Sequence, residues 1–180
     1  FFSAKMLEMR QRHAKYVDSP YSLEPNTKES PGGLRDLQVI RWIARASGFG
    51  RNWSELQARG LITASEAIQL RANERRIARI RAWLHILAGR REDRLVFDLQ
   101  ARAAEAMGLA RSSARQSSEE LMQRYYRAAK TVTQLNTIVL QNLRGALFPS
   151  GAAAARPIDR EFLDRQGLLD LADPGLFERD

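Results

Sequence analysis

The feature that most constrains the fold is a long helical pattern in the middle of the chain. Thr63 and Glu66 have the spacing of a capping box, in which side chains and backbone N–H groups at a helix start satisfy each other. Apolar residues then recur at helical spacing as far as Gly89, with Leu70 and Ile77 at one heptad position. The pattern predicts a helix of roughly 25 residues, about 37 Å long.

Helical spacing extends over most of the chain. A second capping box, Ser113 with Gln116, starts another long helix that we predict to continue to about Leu143. Shorter helices are predicted at about 1–16, 33–47, 53–58 and 95–107. Strand-like alternation is absent before about residue 145. The sequence therefore predicts an all-α fold: a helical bundle built on two long antiparallel helices, with shorter helices packed around them.

The composition changes near residue 148. Pro149 is followed by a glycine and a run of alanines, which favours a helical domain over 1–148 and a linker with the start of a following domain over 149–180. Asp173 before Pro174 is typical of a helix N-terminus. Because the chain does not begin with Met and stops within a pattern, we expect it to be part of a longer protein.

The formal net charge of +8 and the pI of about 10.5 raise the question of a polyanionic partner. The excess is almost all arginine, because the lysines are only Lys5, Lys15, Lys28 and Lys130. The arginines are spread over many predicted helical faces, and alanine is also abundant. A solvated basic surface explains this better than a nucleic-acid stripe, so we expect nucleic acid to be an improbable partner.

Several classes of protein are excluded by what the sequence lacks. There is no cysteine, which rules out disulfides, a thiol nucleophile and cysteine-ligated metal. No apolar run approaches the ~18 residues of a membrane span, and no secretory signal pattern opens the chain. We therefore expect a cytoplasmic protein that does not contact a membrane. His13 and His85 are far apart in sequence, so we predict no metal site and interpret His85 as a packing residue of its helix.

The most informative segment for function is residues 23–38, which we call the signature loop. Two prolines and two glycines break the chain there, immediately before a predicted helix. Free N–H groups at a helix start attract anions, so Asn26, Lys28, Arg35 and Asp36 are candidate ligand-facing residues. A structural alternative is that Glu24 and Asp36 pair with Arg or Lys, while Pro31 and the glycines only shape the start of the helix.

A second charged segment follows the predicted break at Gly89. Arg90, Arg91 and Asp93 are candidates for a contact with another domain or a partner protein. The alternative is a solvated charged turn, which is the more common role of such a segment.

The chain resembles the central helical domain of the bifunctional uridylyltransferase/uridylyl-removing enzymes that modify the PII protein. The resemblance rests on the signature loop and on ordered blocks elsewhere: Arg12–His13, Tyr21, Trp42–Arg45, Leu87–Leu95, Phe97–Gln100 and Met122–Ala129. Two positions depart from the family pattern. Thr27 stands where an apolar residue is more usual, and Ser30 stands where glycine is common.

The resemblance implies an enzyme that transfers UMP from UTP to a tyrosine of PII, hydrolyses it off again and responds to glutamine. It implies Mg²⁺ or Mn²⁺ and UTP for the intact enzyme and no cofactor in this segment. The family's transferase site uses an Asp-x-Asp pair and its hydrolytic site a His-Asp pair, and this sequence contains neither. We therefore predict no catalytic residue here.

The resemblance further implies a role beside the neighbouring catalytic domains of the same chain. The segment would brace the transferase domain and line its substrate cleft, with Lys28 and Arg35 near nucleotide phosphates. Asn26 and Asp36 would hydrogen-bond ribose, base or neighbouring backbone. The alternative function is a non-catalytic basic helical module that binds nucleic acid or a partner protein, which the net charge alone supports.

Overall fold

The computed structural model describes residues 1–16, 21–109, 112–149 and three short strands. The helices are α1 Phe2–Lys15, α2 Leu34–Ala46, α3 Trp53–Ala58, α4 Ala64–Ala88, α5 Phe97–Ala106 and α6 Ala114–Leu147. The strands are β1 Arg156–Pro157, β2 Phe162–Asp164 and β3 Leu169–Leu171. The predicted helices are all present, and α6 extends four residues beyond the predicted end at Leu143.

The chain divides into two compact units, Phe1–Arg144 and Gly145–Asp180. The first unit is built from helices and confirms the predicted all-α bundle. In the second unit the strands form a three-stranded antiparallel sheet in the order β1-β2-β3. The predicted helix start at Asp173–Pro174 lies outside the described residues, and the domain boundary after residue 148 stays a prediction.

Local sequence signals determine both ends of α4. The Thr63 hydroxyl accepts from the Glu66 N–H at 3.2 Å, and the Glu66 carboxylate accepts from the Thr63 N–H at 2.7 Å, so the capping box is complete. Gly89 ends the helix in the left-handed region at φ 63°. At α6 only half of the predicted box forms: the Ser113 hydroxyl accepts from the Gln116 N–H at 3.2 Å.

The two long helices, α4 and α6, are antiparallel. The Asn142 amide, late in α6, donates to the Leu61 carbonyl just before α4 at 2.9 Å. Earlier in α6, Leu121 and Arg124 share a groove with residues 72–80 in the middle of α4. The end of α6 thus lies near the start of α4, so the two helices run in opposite directions, as predicted.

The core of the first unit follows the periodic apolar residues of these helices. Side chains with no exposed surface include Leu37, Ile40, Ile43, Leu56, Leu70, Ile77, Leu84, Leu95, Leu121, Tyr125 and Leu143. Burying such side chains contributes roughly 1.5–3 kcal/mol each to folding. No helix of the part described is both long and apolar enough to cross a membrane.

Candidate functional site

The signature loop is joined to the charged segment after Gly89. The Thr27 N–H and hydroxyl both donate to the Asp93 carbonyl, at 2.8 and 3.0 Å. The Leu95 N–H donates to the Pro25 carbonyl at 2.9 Å, and Asn26 pairs with Arg94 in an antiparallel bridge. These contacts join residues more than 60 positions apart in the sequence, so the two candidate segments form one site.

Asn26 shapes the turn inside the loop. Its side-chain oxygen accepts from the N–H groups of Lys28 and Glu29, at 3.0 and 2.8 Å. Its own N–H donates to the Ser30 hydroxyl at 3.0 Å. Of the hydrogen-bonding roles predicted for Asn26, the one to neighbouring backbone is therefore present.

Asp36 lies in the first turn of α2 and is completely buried. Its carboxylate accepts from Arg12 at 2.5 Å and from the Gly32 N–H at 2.7 Å, and lies 2.9 Å from His13 Nε2. Arg12 also donates to the Glu29 carbonyl at 2.7 Å. Asp36 thus connects α1, the signature loop and α2, and its carboxylate is directed into the protein.

Lys28 and Arg35 share one carboxylate. The two Glu29 pairs measure 3.2 Å to Lys28 and 3.0 Å to Arg35, and these cations keep 16% and 23% of their side chains exposed. Burial opposes ionisation of Glu29, but hydrogen bonds from Arg35 and Lys28 outweigh it and lower the pKa of Glu29 below 4.5. The Arg35 guanidinium also lies 5.3 Å from the centre of the Trp42 ring.

The charged segment has an outer and an inner part. Arg90 and Arg91 have exposed side chains, whereas Asp93 is 13% exposed and pairs with Arg81 at 2.6 Å and His85 at 3.0 Å. Burial opposes ionisation of Asp93, but hydrogen bonds from His85 and Arg81 outweigh it and lower its pKa. His85, predicted as a packing residue of its helix, has a side chain that is 31% exposed and contacts this carboxylate.

The signature loop also packs closely against α6. Gly32 has φ 76°, and a Cβ at this position would lie 2.2 Å from the Ala129 carbonyl oxygen. Beside this contact Tyr125 is fully buried, and its hydroxyl has no hydrogen-bond partner in the part of the chain described. Burial raises the pKa of Tyr125, so this phenol stays neutral.

Several contacts that hold the site were not predicted from the sequence. The Glu24 carboxylate accepts from the Phe97 N–H at 2.9 Å and therefore caps the start of α5. Thr27 and Ser30 are completely buried, and their hydroxyls make the contacts described above. The signal in the sequence was that both positions carry a hydroxyl where the family pattern has none. A buried hydroxyl requires a hydrogen-bond partner nearby.

The described residues contain no group of three or more His, Asp or Glu side chains placed to hold a metal ion. The site is therefore an arrangement of ion pairs and backbone hydrogen bonds that leaves Lys28 and Arg35 partly exposed. Such an arrangement can hold an anion by charge and hydrogen bonding.

Comparison with known proteins adds a family. The family model described as GlnD PII-uridylyltransferase matches residues 1–140. The bifunctional uridylyltransferase/uridylyl-removing enzyme of Ralstonia nicotianae is 60% identical over 180 residues, covering 100% of this chain and 21% of the relative. Proteins of the same name from Burkholderia orbicola and Burkholderia vietnamiensis are 59% identical, covering 99% of this chain and 21% of each relative. No solved structure matches. The chain thus spans about a fifth of the length of these curated relatives.

Proposed function

The chain belongs to the GlnD PII-uridylyltransferase family, and from this premise we propose that it is the helical domain of a bifunctional uridylyltransferase/uridylyl-removing enzyme. The whole enzyme would transfer UMP from UTP to PII and remove it by hydrolysis, in the cytoplasm. Mg²⁺ or Mn²⁺ would assist that chemistry in other domains of the polypeptide. This segment would brace the transferase domain and line one wall of its cleft.

The observation that carries the proposal is the way the signature loop is held. The loop is fixed by α1 through Arg12, by the charged segment through Asp93 and by α6 through the close approach at Gly32. A loop that served only to connect α1 with α2 would need fewer contacts than these. They hold Lys28 and Arg35, which are partly exposed, in a fixed position, which reduces the cost of ordering them around a ligand.

Lys28 and Arg35 suit the phosphates of a nucleotide bound in the neighbouring domain. Arg35 presents a planar fork that binds phosphate in a bidentate manner, and Lys28 adds a point charge. Glu29 holds both cations now, at 3.2 and 3.0 Å. A triphosphate would compete with Glu29 for them, and Asn26 and Asp36 would act by keeping the loop in shape.

The outer part of the charged segment is proposed as the contact with another domain or with PII. Arg90 and Arg91 keep 74% and 70% of their side chains exposed. Their neighbour Asp93 is held by Arg81 and His85, so it orients the segment rather than meeting a partner.

The test is a pair of substitutions in the full-length enzyme. Arg35→Ala removes one charge-assisted phosphate contact, worth roughly 1.5–3 kcal/mol, and should reduce kcat/KM for UTP by about one to two decades. Arg45→Ala is the matched control, because Arg45 is an exposed arginine on the same helix with no ion pair among the described residues. The control should leave UTP kinetics unchanged, and uridylyl removal should change little in either variant.

A second variant separates phosphate binding from a purely structural role. Glu29→Gln releases Lys28 and Arg35 from their shared carboxylate, so it should preserve UTP use or lower KM if these cations meet phosphate. A structural role predicts instead that Arg35→Ala and Glu29→Gln lower the melting temperature alike and reduce both activities equally. That result, or normal UTP kinetics in a folded Arg35→Ala variant, would refute the phosphate role.

A further inference from the structure

A groove of about 620 Å³ lies between α4, the end of α5 and α6. Its lining includes four arginines, Arg75, Arg76, Arg79 and Arg124, and the apolar side chains named below. We call it the arginine groove. Its volume is within the range of about 300–1,000 Å³ that is usual for small-molecule sites.

The floor of the arginine groove is apolar and rigid. Ile80 and Leu121 have no exposed surface, and Leu109 is 9% exposed, so these side chains are held by the core. A surface of this kind binds the flat or apolar body of a ligand through burial.

The walls of the arginine groove carry positive charge that the described residues do not fully neutralise. In the described part of the chain, Arg75, Arg76 and Arg79 have no carboxylate in ion-pair range, although nine other arginines have one. Only Arg124, across the groove, is paired, with Glu120 at 2.6 Å. Arg75 and Arg79 are four residues apart on one helix, where like charges repel.

We propose that the arginine groove binds an organic polyphosphate, meaning a ligand with two or more phosphate groups on an aromatic or apolar body. The guanidinium groups would take the phosphates in bidentate hydrogen bonds, and the apolar floor would take the body. The ligand would supply the negative charge that the described residues around Arg75, Arg76 and Arg79 lack.

The spacing of the arginines favours a small ligand over an acidic protein segment. Residues 75–79 span little more than one helical turn, about 6 Å along the axis. A cluster of this size matches neighbouring phosphates, whereas an acidic helix or strand would need charges spread along a longer face. This site is separate from the signature loop, where Lys28 and Arg35 already have Glu29 as a partner.

The experiment measures ATP binding to the natural full-length polypeptide by calorimetry. EDTA is added because it suppresses metal-dependent nucleotide binding elsewhere in the chain. The double variant Arg75→Ala with Arg79→Ala should weaken ATP binding about tenfold or more, since each loses a charge-assisted contact. The matched control is Arg51→Ala with Arg59→Ala, which removes the same charge from exposed positions outside the groove and should change the affinity less than about twofold.

Two further probes identify what the groove recognises. Inorganic triphosphate should bind more weakly than ATP, because it cannot use the apolar floor. A hexaglutamate peptide should not displace ATP. If the double variant does not fold, the single substitution Arg79→Gln is used instead, and it should also weaken ATP binding.

Each of the opposite results would overturn the proposal. Equal weakening in the control pair would show a non-specific charge effect, and unchanged ATP binding in the double variant would show that the groove is not used. Equal affinity for triphosphate and ATP would show that the groove does not bind the organic part of the ligand. Tighter binding of hexaglutamate than of ATP would assign the groove to an acidic protein segment.

Discussion

The signature loop and the arginine groove use the same kind of residue in opposite ways. At the loop, Arg12 of α1 and the loop residues Lys28 and Arg35 all contact carboxylates, and Asp36 is buried among its partners. In the groove, arginines stand beside each other over an apolar floor. A phosphate at the loop would have to compete with Glu29 for Lys28 and Arg35. In the described part of the chain, Arg75, Arg76 and Arg79 have no carboxylate that a ligand would have to displace.

This contrast has an energetic consequence. A buried ion pair loses much when one partner is removed, because the other charge remains without water or a counter-ion. An exposed arginine loses little, because water solvates whatever remains. Removing the buried Asp36 carboxylate should therefore change stability, whereas substitutions in the groove should change ligand binding and leave stability nearly unchanged.

The largest effect is expected for Asp36→Ala. The change leaves Arg12 and His13 without their shared carboxylate inside the protein, and should lower the free energy of unfolding by about 3–5 kcal/mol. Asp98→Ala is the control, because Asp98 is an exposed acid in the first turn of α5 and should cost about 0.5 kcal/mol. Denaturant unfolding measures both, and equal losses would contradict the role given to Asp36.

Gly32→Ala should come next. The added Cβ would lie 2.2 Å from the Ala129 carbonyl oxygen, so the loop must move away from α6. The alanine would also have to adopt φ 76°, a backbone conformation that residues with a side chain rarely adopt. We expect a loss of roughly 3 kcal/mol or more in the free energy of unfolding.

Gly48→Ala is the matched control for this substitution. Gly48 has φ 72° but nothing within 4 Å of its Cβ position, so it should cost only roughly 1–2 kcal/mol. A melting-temperature comparison separates the close approach from backbone strain. Equal shifts of the melting temperature in the two variants would show that the close approach of Gly32 to α6 does not contribute to stability.

The loop should also give the protein a measurable pH dependence, of smaller size. The pKa values of Glu29 and Asp93 are lowered from 4.5 and 3.8, so their contribution to stability is fully present above these values. It is lost as the pH falls through the lowered pKa values of the folded state. We expect less than about 1 kcal/mol per group, because both side chains are partly exposed.

The measurement for this pH effect is the free energy of unfolding between about pH 6 and pH 2. Glu29→Gln should flatten part of the fall at acid pH, because the substituted side chain no longer takes up a proton. An identical pH profile in wild type and variant would show that Glu29 does not contribute.

The smallest effect on stability is expected in the arginine groove. Arg75→Ala with Arg79→Ala should change the free energy of unfolding by less than about 0.5 kcal/mol, and relief of repulsion between the two arginines favours a slight gain. Thermal unfolding without ligand tests this. A loss comparable to that of Asp36→Ala would mean that these arginines hold the fold, and the contrast between the two regions would disappear.

The helices were predictable because their signals are local. Thr63 and Glu66 lie within one turn, and the glycine at position 89 acts on its own backbone, so neither needs distant partners. The incomplete capping box at Ser113 shows the limit of such signals. The Gln116 side chain instead accepts a hydrogen bond from the Ser112 hydroxyl, an alternative that the spacing alone cannot distinguish.

The site was predictable only in part. The sequence identified the signature loop and the charged segment, because broken helical pattern and clustered charge are visible in one dimension. It did not predict that Thr27 joins them, or that Glu24 caps α5. These contacts connect residues more than 60 positions apart, and their geometry depends on how the helices between them pack.

By itself, the sequence determined the helical class, the order of the helices and the places where the helical pattern breaks. Capping, periodicity and glycine all act within a few residues of one position. Only the tertiary structure decided which charges are paired, because pairing depends on distances across the bundle. It buried Asp36 between α1 and α2, brought Gly32 against α6, and left Arg75, Arg76 and Arg79 together beside an apolar floor.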